Sequence, residues 1–297
     1  MTKRQTLQWE TIGNKIAKAV QTDPGGRGLL KGEITTPVSA LLQSLEQVPR
    51  AVLLTGFPVR LPDGTVVGET DGPSGLANIA WALEQTGTAV RVLTDRTCFR
   101  QLEAAMRARG CSAAPEMIPE DGQEPFLEEL FAEFSPTHLI TLERPGKARD
   151  GHFHNMRGGV IDPMITDADC ILETARRCGA EVISVGDGGN ELGMGALRPL
   201  IEERVPLGEL ICADAPADIA LVSGVSNWWS WGIAAFLSLL HKKDLLPSPE
   251  TELAMLHAVI ISGGADGCTA RIEETVDDLP PEVHLAVLNN VREQLRA

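Results

Sequence analysis

Glu181-Val-Ile-Ser-Val-Gly-Asp-Gly-Gly-Asn-Glu-Leu-Gly-Met-Gly195 is an apolar run that stops in a cluster of glycines. Val182, Ile183 and Val185 predict a buried strand, because short β-branched runs bounded by glycine pack well inside a sheet. Gly186, Gly188, Gly189, Gly193 and Gly195 permit sharp turns and close approach to a ligand. Asp187, Asn190 and Glu191 then fall at the carboxyl end of the strand, where open α/β sheets gather their ligands.

The same alternation recurs on both sides. Ala51–Leu54, Ala89–Leu93, His138–Leu142, Ile219–Val222 and Val259–Ser262 read as further strands. Helical patterns fall at 3–20, from a cap at Ser74 to Gln85, and at 98–109, 125–133, 166–177, 228–240 and 281–295. The fold class predicted is α/β, a mostly parallel sheet covered by helices, with active-site loops at the carboxyl ends of the strands. The loops bearing Asp71, Glu143, Asp187, Ser226 and Asp266 would share one edge of that sheet. The chain is read as one α/β domain over 1–297, with 145–165 as the place where two lobes would divide.

With 297 residues, 43% of them hydrophobic, a sizeable core can form. The net charge of −15 argues against nucleic acid or an anionic membrane as partner, and leaves room for a small anionic substrate bound by local charge. The amino terminus lacks the apolar core of a signal peptide, and Trp228–Leu240 is too short and too interrupted to span a bilayer. The six cysteines form no CxxC pair, which fits reduced, mostly buried thiols in a cytoplasmic protein; a homo-oligomer is compatible with all of this.

Several constellations carry chemistry. Asp187, Asn190 and Glu191 offer hard oxygens suited to Mg²⁺ or Mn²⁺. The segment is neither a dinucleotide fingerprint, since Glu191 stands where the third glycine belongs, nor a phosphate loop, since the lysine is missing, so no nucleotide cofactor is expected. Asp71, within Glu69-Thr-Asp-Gly-Pro73, is a metal ligand, an acid/base or a helix-start residue. Arg144, Lys147, Arg149 and Arg157 make a basic patch on an acidic chain, fit for a carboxylate or phosphate. His152-Phe-His154 puts two imidazoles on one face of an extended segment, a weak metal signal. Backbone amides near Ser226 and Asn227 could hold a carboxylate at a helix start. Asp266 is a candidate proton carrier, whereas Cys268 has no evident histidine partner.

Together, Thr55-Gly-Phe57, Glu69-Thr-Asp-Gly-Pro73, Glu143-Arg-Pro-Gly146 with Asp150-Gly151 and Asn155, Gly186–Gly195 and Val222–Trp228 resemble the D-glutamate cyclase family, in the domain that forms the carboxyl-terminal part of its longer eukaryotic members. The chain departs from the family at His152-Phe-His154, where relatives often carry tyrosines; it has no tyrosine at all. The resemblance implies a stand-alone form and a carbon–oxygen lyase that cyclises D-glutamate to 5-oxo-D-proline with loss of water. For that reaction, the residues themselves lead us to expect catalytic roles for Asp187, Glu191 and Asp266, and Mg²⁺ or Mn²⁺ on Asp71, Glu143, Asp187, Asn190 and Glu191. Substrate would be held by Arg144, Arg157, Asn155, Ser226 and Asn227. A metal-dependent phosphohydrolase is the competing reading, because acidic strand-end loops beside arginines also suit phosphorus chemistry. A non-catalytic binder of an acidic metabolite comes third.

Overall fold

Parallel strands buried on both faces need helices above and below them, and the chain supplies both layers. The computed structural model describes residues 3–296. Helices α1 (Lys3–Val20) and α2 (Val38–Leu45) precede strand β1 (Arg50–Leu54). A small hairpin of β2 (Pro58–Arg60) and β3 (Val66–Gly68) leads into α3 (Pro73–Gln85), β4 (Ala89–Thr94), α4 (Phe99–Arg109) and β5 (Pro115–Met117). Next come α5 (Gln123–Phe134), β6 (His138–Leu142), α6 (Ile171–Arg177), β7 (Glu181–Gly186), the short α7 (Arg198–Arg204) and α8 (Gly208–Ile211), and β8 (Ile219–Val222). Helices α9 (Ser226–His241), α10 (Pro249–Ile261) and α11 (Pro281–Arg296) follow.

The sheet runs β5-β4-β1-β6-β7-β8, and every pairing in it is parallel. Propagation starts at β1, goes outward to β5, then returns to β6 on the other side of β1. That reversal between β1 and β6 is a topological switch point, where the loops diverge and leave a crevice at the strand ends.

Side chains alternate between two cores, as the strand period requires. Leu53, Ile140, Ile183 and Val185 face a large core built from α1–α4 and α9–α11. Val52, Leu54, Leu139 and Val182 face a smaller one under α5 and α6. Trp228, Trp229 and Trp231 are wholly within the large core, as wall rather than site.

The segment 259–262 corrects one expectation: it is the last turn of α10 and the start of its cap, not a strand. A short apolar run cannot by itself tell a strand from a buried helix end. The deciding signal lies upstream, where Ser248 Oγ accepts from Thr251 N at 3.2 Å and caps the helix. The Asp266 loop therefore follows a helix and not a sheet strand. Of the cysteines only Cys98 and Cys212 are fully buried, and Cys178 is exposed.

Candidate active site

Two helix starts meet beside the switch point and cap each other. Asn227, at the start of α9, uses its Oδ1 to accept from Gly72 N at 3.0 Å and Gly75 N at 2.7 Å, the first amides of α3. Asp71, just before α3, returns the favour: Oδ2 accepts from Ser226 N and Oδ1 from Asn227 N, both at 2.9 Å. The α3 cap is thus Gly72, at φ 104, assisted by a side chain from another helix; Ser74 lies inside the helix with its hydroxyl unpartnered. Positive helix ends aimed at one point favour anions there.

Glu143 and Asp187 complete the group. Glu143 ends β6 in a left-handed conformation, φ 45, that a non-glycine residue adopts only under constraint. Its Oε2 accepts from Ser226 Oγ at 2.5 Å. Asp187 follows β7, and its Oδ2 accepts from Ser226 N at 3.2 Å. One carboxylate oxygen from each of Asp71, Glu143 and Asp187 lies within 4.8 Å of the others, and all three residues are buried.

Such crowding raises the cost of ionisation. Burial, then the charge of Asp277, pushes Asp71 up to about 8. Burial also pushes up Glu143, with Glu191 and Asp71 adding repulsion, and Asp187, which the Arg27 guanidinium partly restrains. Glu69, buried nearby, is driven up by burial and then by Glu143. The paired cation is Arg27, whose Nη1 meets Asp187 Oδ1 at 2.6 Å and whose Nη2 pairs with Asp277. Burial would lower Arg27, but Asp187 and Asp277 outweigh it and hold it well above the usual arginine value.

A cavity of about 300 Å³ opens here, with Arg27, Glu69, Glu143, Asn155, Arg157, Asn190 and Cys268 on its wall. Its size sits at the lower limit of roughly 300–1,000 Å³ for small-molecule sites. Arg157 donates to Cys268 O at 2.8 Å and remains exposed enough to meet a ligand. Asn155 accepts from Arg157 N and Gly159 N, fixing that loop.

Other expected site residues have structural duties instead. Glu191 accepts from the amides of Asp187 (3.0 Å), Gly188 (2.7 Å) and Gly189 (2.7 Å), so its carboxylate is the hub of the glycine loop. Gly186 is glycine for that reason: a Cβ there would lie 2.5 Å from Glu191 Oε2. Asn190 Nδ2 donates to His154 O, which ties its amide to the neighbouring loop. Arg144 is buried and pairs with Asp95 at 2.7 Å and with Thr166 O, leaving it no reach to a substrate. The amides of Ser226 and Asn227 are taken by Asp71 and Asp187, so they do not dock a substrate carboxylate. Asp266 accepts from Cys268 N, Thr269 N, Thr275 Oγ1 and Asp278 N; with both oxygens occupied it organises its loop and has no free lone pair aimed at the cavity. His152 and His154 each pair with a separate carboxylate, Asp162 and Asp150. Burial pushes Cys268 up to about 11, which makes it a thiol and not a nucleophile.

Arg27, Asp277 and the position of Glu69 were not legible in the chain. Asp23-Pro-Gly-Gly-Arg-Gly28 reads as a helix terminator, yet Asp23 accepts from Arg27 N and Gly28 N and so aims Arg27 inward. A carboxylate–glycine turn around a lone arginine was the available signal.

The arrangement can bind a cation and an anion side by side. Hard oxygens crowded together in a buried place, with burial working against their charge, form a set that a divalent ion would satisfy. Arg157 and Arg27 bring positive charge to the cavity wall.

The family described as D-glutamate cyclase-like, C-terminal, matches residues 16–292. The D-glutamate cyclase, mitochondrial, of Homo sapiens is 29% identical over 241 residues, which cover 76% of this chain and 39% of that protein. The chain thus spans about two fifths of the length of that curated relative. Among solved structures, an exopolyphosphatase-related protein from Bacteroides fragilis aligns over 86% of this chain and 56% of its own, at 10% identity and a TM-score of 0.43, too loose a likeness to bear on chemistry. No helix among the described residues is long and apolar enough to cross a membrane.

Proposed function

The chain belongs to the D-glutamate cyclase-like, C-terminal family, and from that premise we propose that it cyclises D-glutamate to 5-oxo-D-proline and water with a divalent cation, Mg²⁺ or Mn²⁺, on Asp71, Glu143 and Asp187. The observation that carries the reading is the convergence of those carboxylates from three loops beside a small cavity whose wall Glu143 shares. Ring closure forms a bond from nitrogen to the γ-carbon and breaks one from that carbon to oxygen. Two protons pass from the ammonium nitrogen to the departing oxygen, so none is gained or lost.

Arg157, on the cavity wall, docks the α-carboxylate. Glu69 lines the same wall, and burial raises it above the ordinary carboxylate value; it is the relay between nitrogen and oxygen. The small cavity folds the substrate so that nitrogen and γ-carbon approach each other. A bound divalent cation would offset the charge of the γ-carboxylate as it is attacked.

The test is incubation with D- and with L-glutamate, with Mn²⁺ or with EDTA, followed by chiral chromatography. Formation of 5-oxo-D-proline that EDTA abolishes is the expected result. No 5-oxoproline from either enantiomer at saturating metal would sink the reading.

A further inference from the structure

The guanidinium of Arg27 is split between two carboxylates instead of seated on one. Its Nη1 donates to Asp187 Oδ1 at 2.6 Å, while Nη2 pairs with Asp277 Oδ1 and faces Cys268 Sγ at 3.7 Å. The second oxygen of Asp277, Oδ2, is buried without a hydrogen-bond partner. Leaving a buried carboxylate oxygen unpaired is costly, so such an atom calls for an explanation. It is also the atom that a guanidinium takes when it grips a carboxylate with both arms. The backbone around it is held for the purpose: Asp277 and Asp278 are both left-handed, at φ 58 and φ 60, and Asp266 fixes the turn by accepting from Asp278 N at 2.8 Å.

We infer that Arg27 is the built-in counter-ion of the Asp71–Glu143–Asp187 cluster and that Asp277 is its second seat. A divalent cation that claims Asp187 displaces the guanidinium, which then closes with both arms on Asp277. Arg27 and Asp277 are positioning residues in this scheme. They set how tightly the cluster takes a cation without Asp277 touching it. Asp23, which anchors the backbone of Arg27 through two amides, keeps the pivot in place while the side chain moves. The inference rests on the cation reading of the proposed function.

Calorimetric titration of the whole chain with Mn²⁺ tests it, in the wild type, R27Q, D277N and R27Q/D277N. Removing the competitor makes R27Q bind Mn²⁺ about tenfold tighter; removing the second seat makes D277N bind about tenfold weaker, the range typical of coupled sites. In R27Q/D277N the effect of D277N largely disappears, because no guanidinium is left to reseat. A purely structural Arg27 would give equal or weaker binding in R27Q, and that result overturns the inference while leaving the cation reading intact. A D277N loss that persists undiminished in the double variant reports lost negative charge alone and overturns it as well. If neither the wild type nor R27Q binds Mn²⁺, both readings fall. Should R27Q unfold at the titration temperature, the Arg27 guanidinium resonances of ¹⁵N-labelled wild type are followed on adding Mg²⁺: a shift supports the reseating, and unchanged signals refute it.

Discussion

Glu191→Gln separates a loop hub from a metal ligand. The substitution keeps the shape of the side chain but leaves one acceptor oxygen in place of two. At present Oε1 accepts from Asp187 N and Gly188 N, and Oε2 from Gly189 N. The better rotamer of glutamine keeps the first two and turns its amino group toward Gly189 N, donor against donor. One bond to a charged acceptor, about 1.5–3 kcal/mol, is lost outright. The remaining two become neutral and about half as strong, so the gross loss is about 4 kcal/mol. Against this, Glu191 repels Glu143 and Asp187, and neutralising it returns about 1 kcal/mol. The net cost is about 3 kcal/mol, or about 5 °C in melting temperature for a chain of this size. Differential scanning calorimetry reads that shift, and Mn²⁺ titration of the same sample shows binding weakened but present. If E191Q instead melts like the wild type and binds no Mn²⁺, Glu191 is a ligand and the hub assignment is wrong.

Further expectations follow from the same geometry. Asp71 is raised from 3.8 to about 8, so its neutral form is favoured by folding; the stability it lends is complete below its unfolded value and drains as pH rises through the folded one. In EDTA the unfolding free energy should therefore fall between about pH 5 and about pH 8, by up to about 1.4 kcal/mol per pH unit for each such group, the melting temperature falling with it, and Mn²⁺ added at about pH 8 should restore both; a melt that rises over that interval would contradict the shift. Mn²⁺ affinity should drop at least about tenfold per pH unit below about pH 8, since protons must leave the carboxylates first, which calorimetry in buffers of different ionisation enthalpy detects. Asp187→Asn should abolish turnover and Mn²⁺ binding with only a small change in melt, and retained turnover would remove Asp187 from the cation site. Arg144→Lys should cost about 2 kcal/mol of stability, because a single ammonium cannot serve both Asp95 and Thr166 O. It should leave KM for the substrate unchanged, and a KM rise without a stability loss would restore Arg144 as a substrate dock.

Val182–Val185 and His138–Leu142 could be recognised as strands because alternation and β-branching act within a few residues. The same is true of the glycines that stop them. Val259–Ser262 misled for a related reason: four residues hold too little pattern, and the helix cap that decides them lies at Ser248. The acidic residues were conspicuous, but their duties were not. Asp71, Asp187, Glu191 and Asp266 look alike as letters, and each is defined by which donors reach it.

Local pattern settled that strands alternate with helices and that carboxylates gather at the strand ends, since both are properties of neighbouring residues and of the direction in which a parallel sheet presents its loops. Only folding in three dimensions chose among those carboxylates. Three amides of its own loop claim Glu191, while Asp187 meets Arg27 from 160 residues away and Asp71 meets the first turn of α9 from 155. Ionic and hydrogen-bonding partners at such separations leave no trace in local sequence, because charge acts through space and its strength depends on how deeply each group is removed from water.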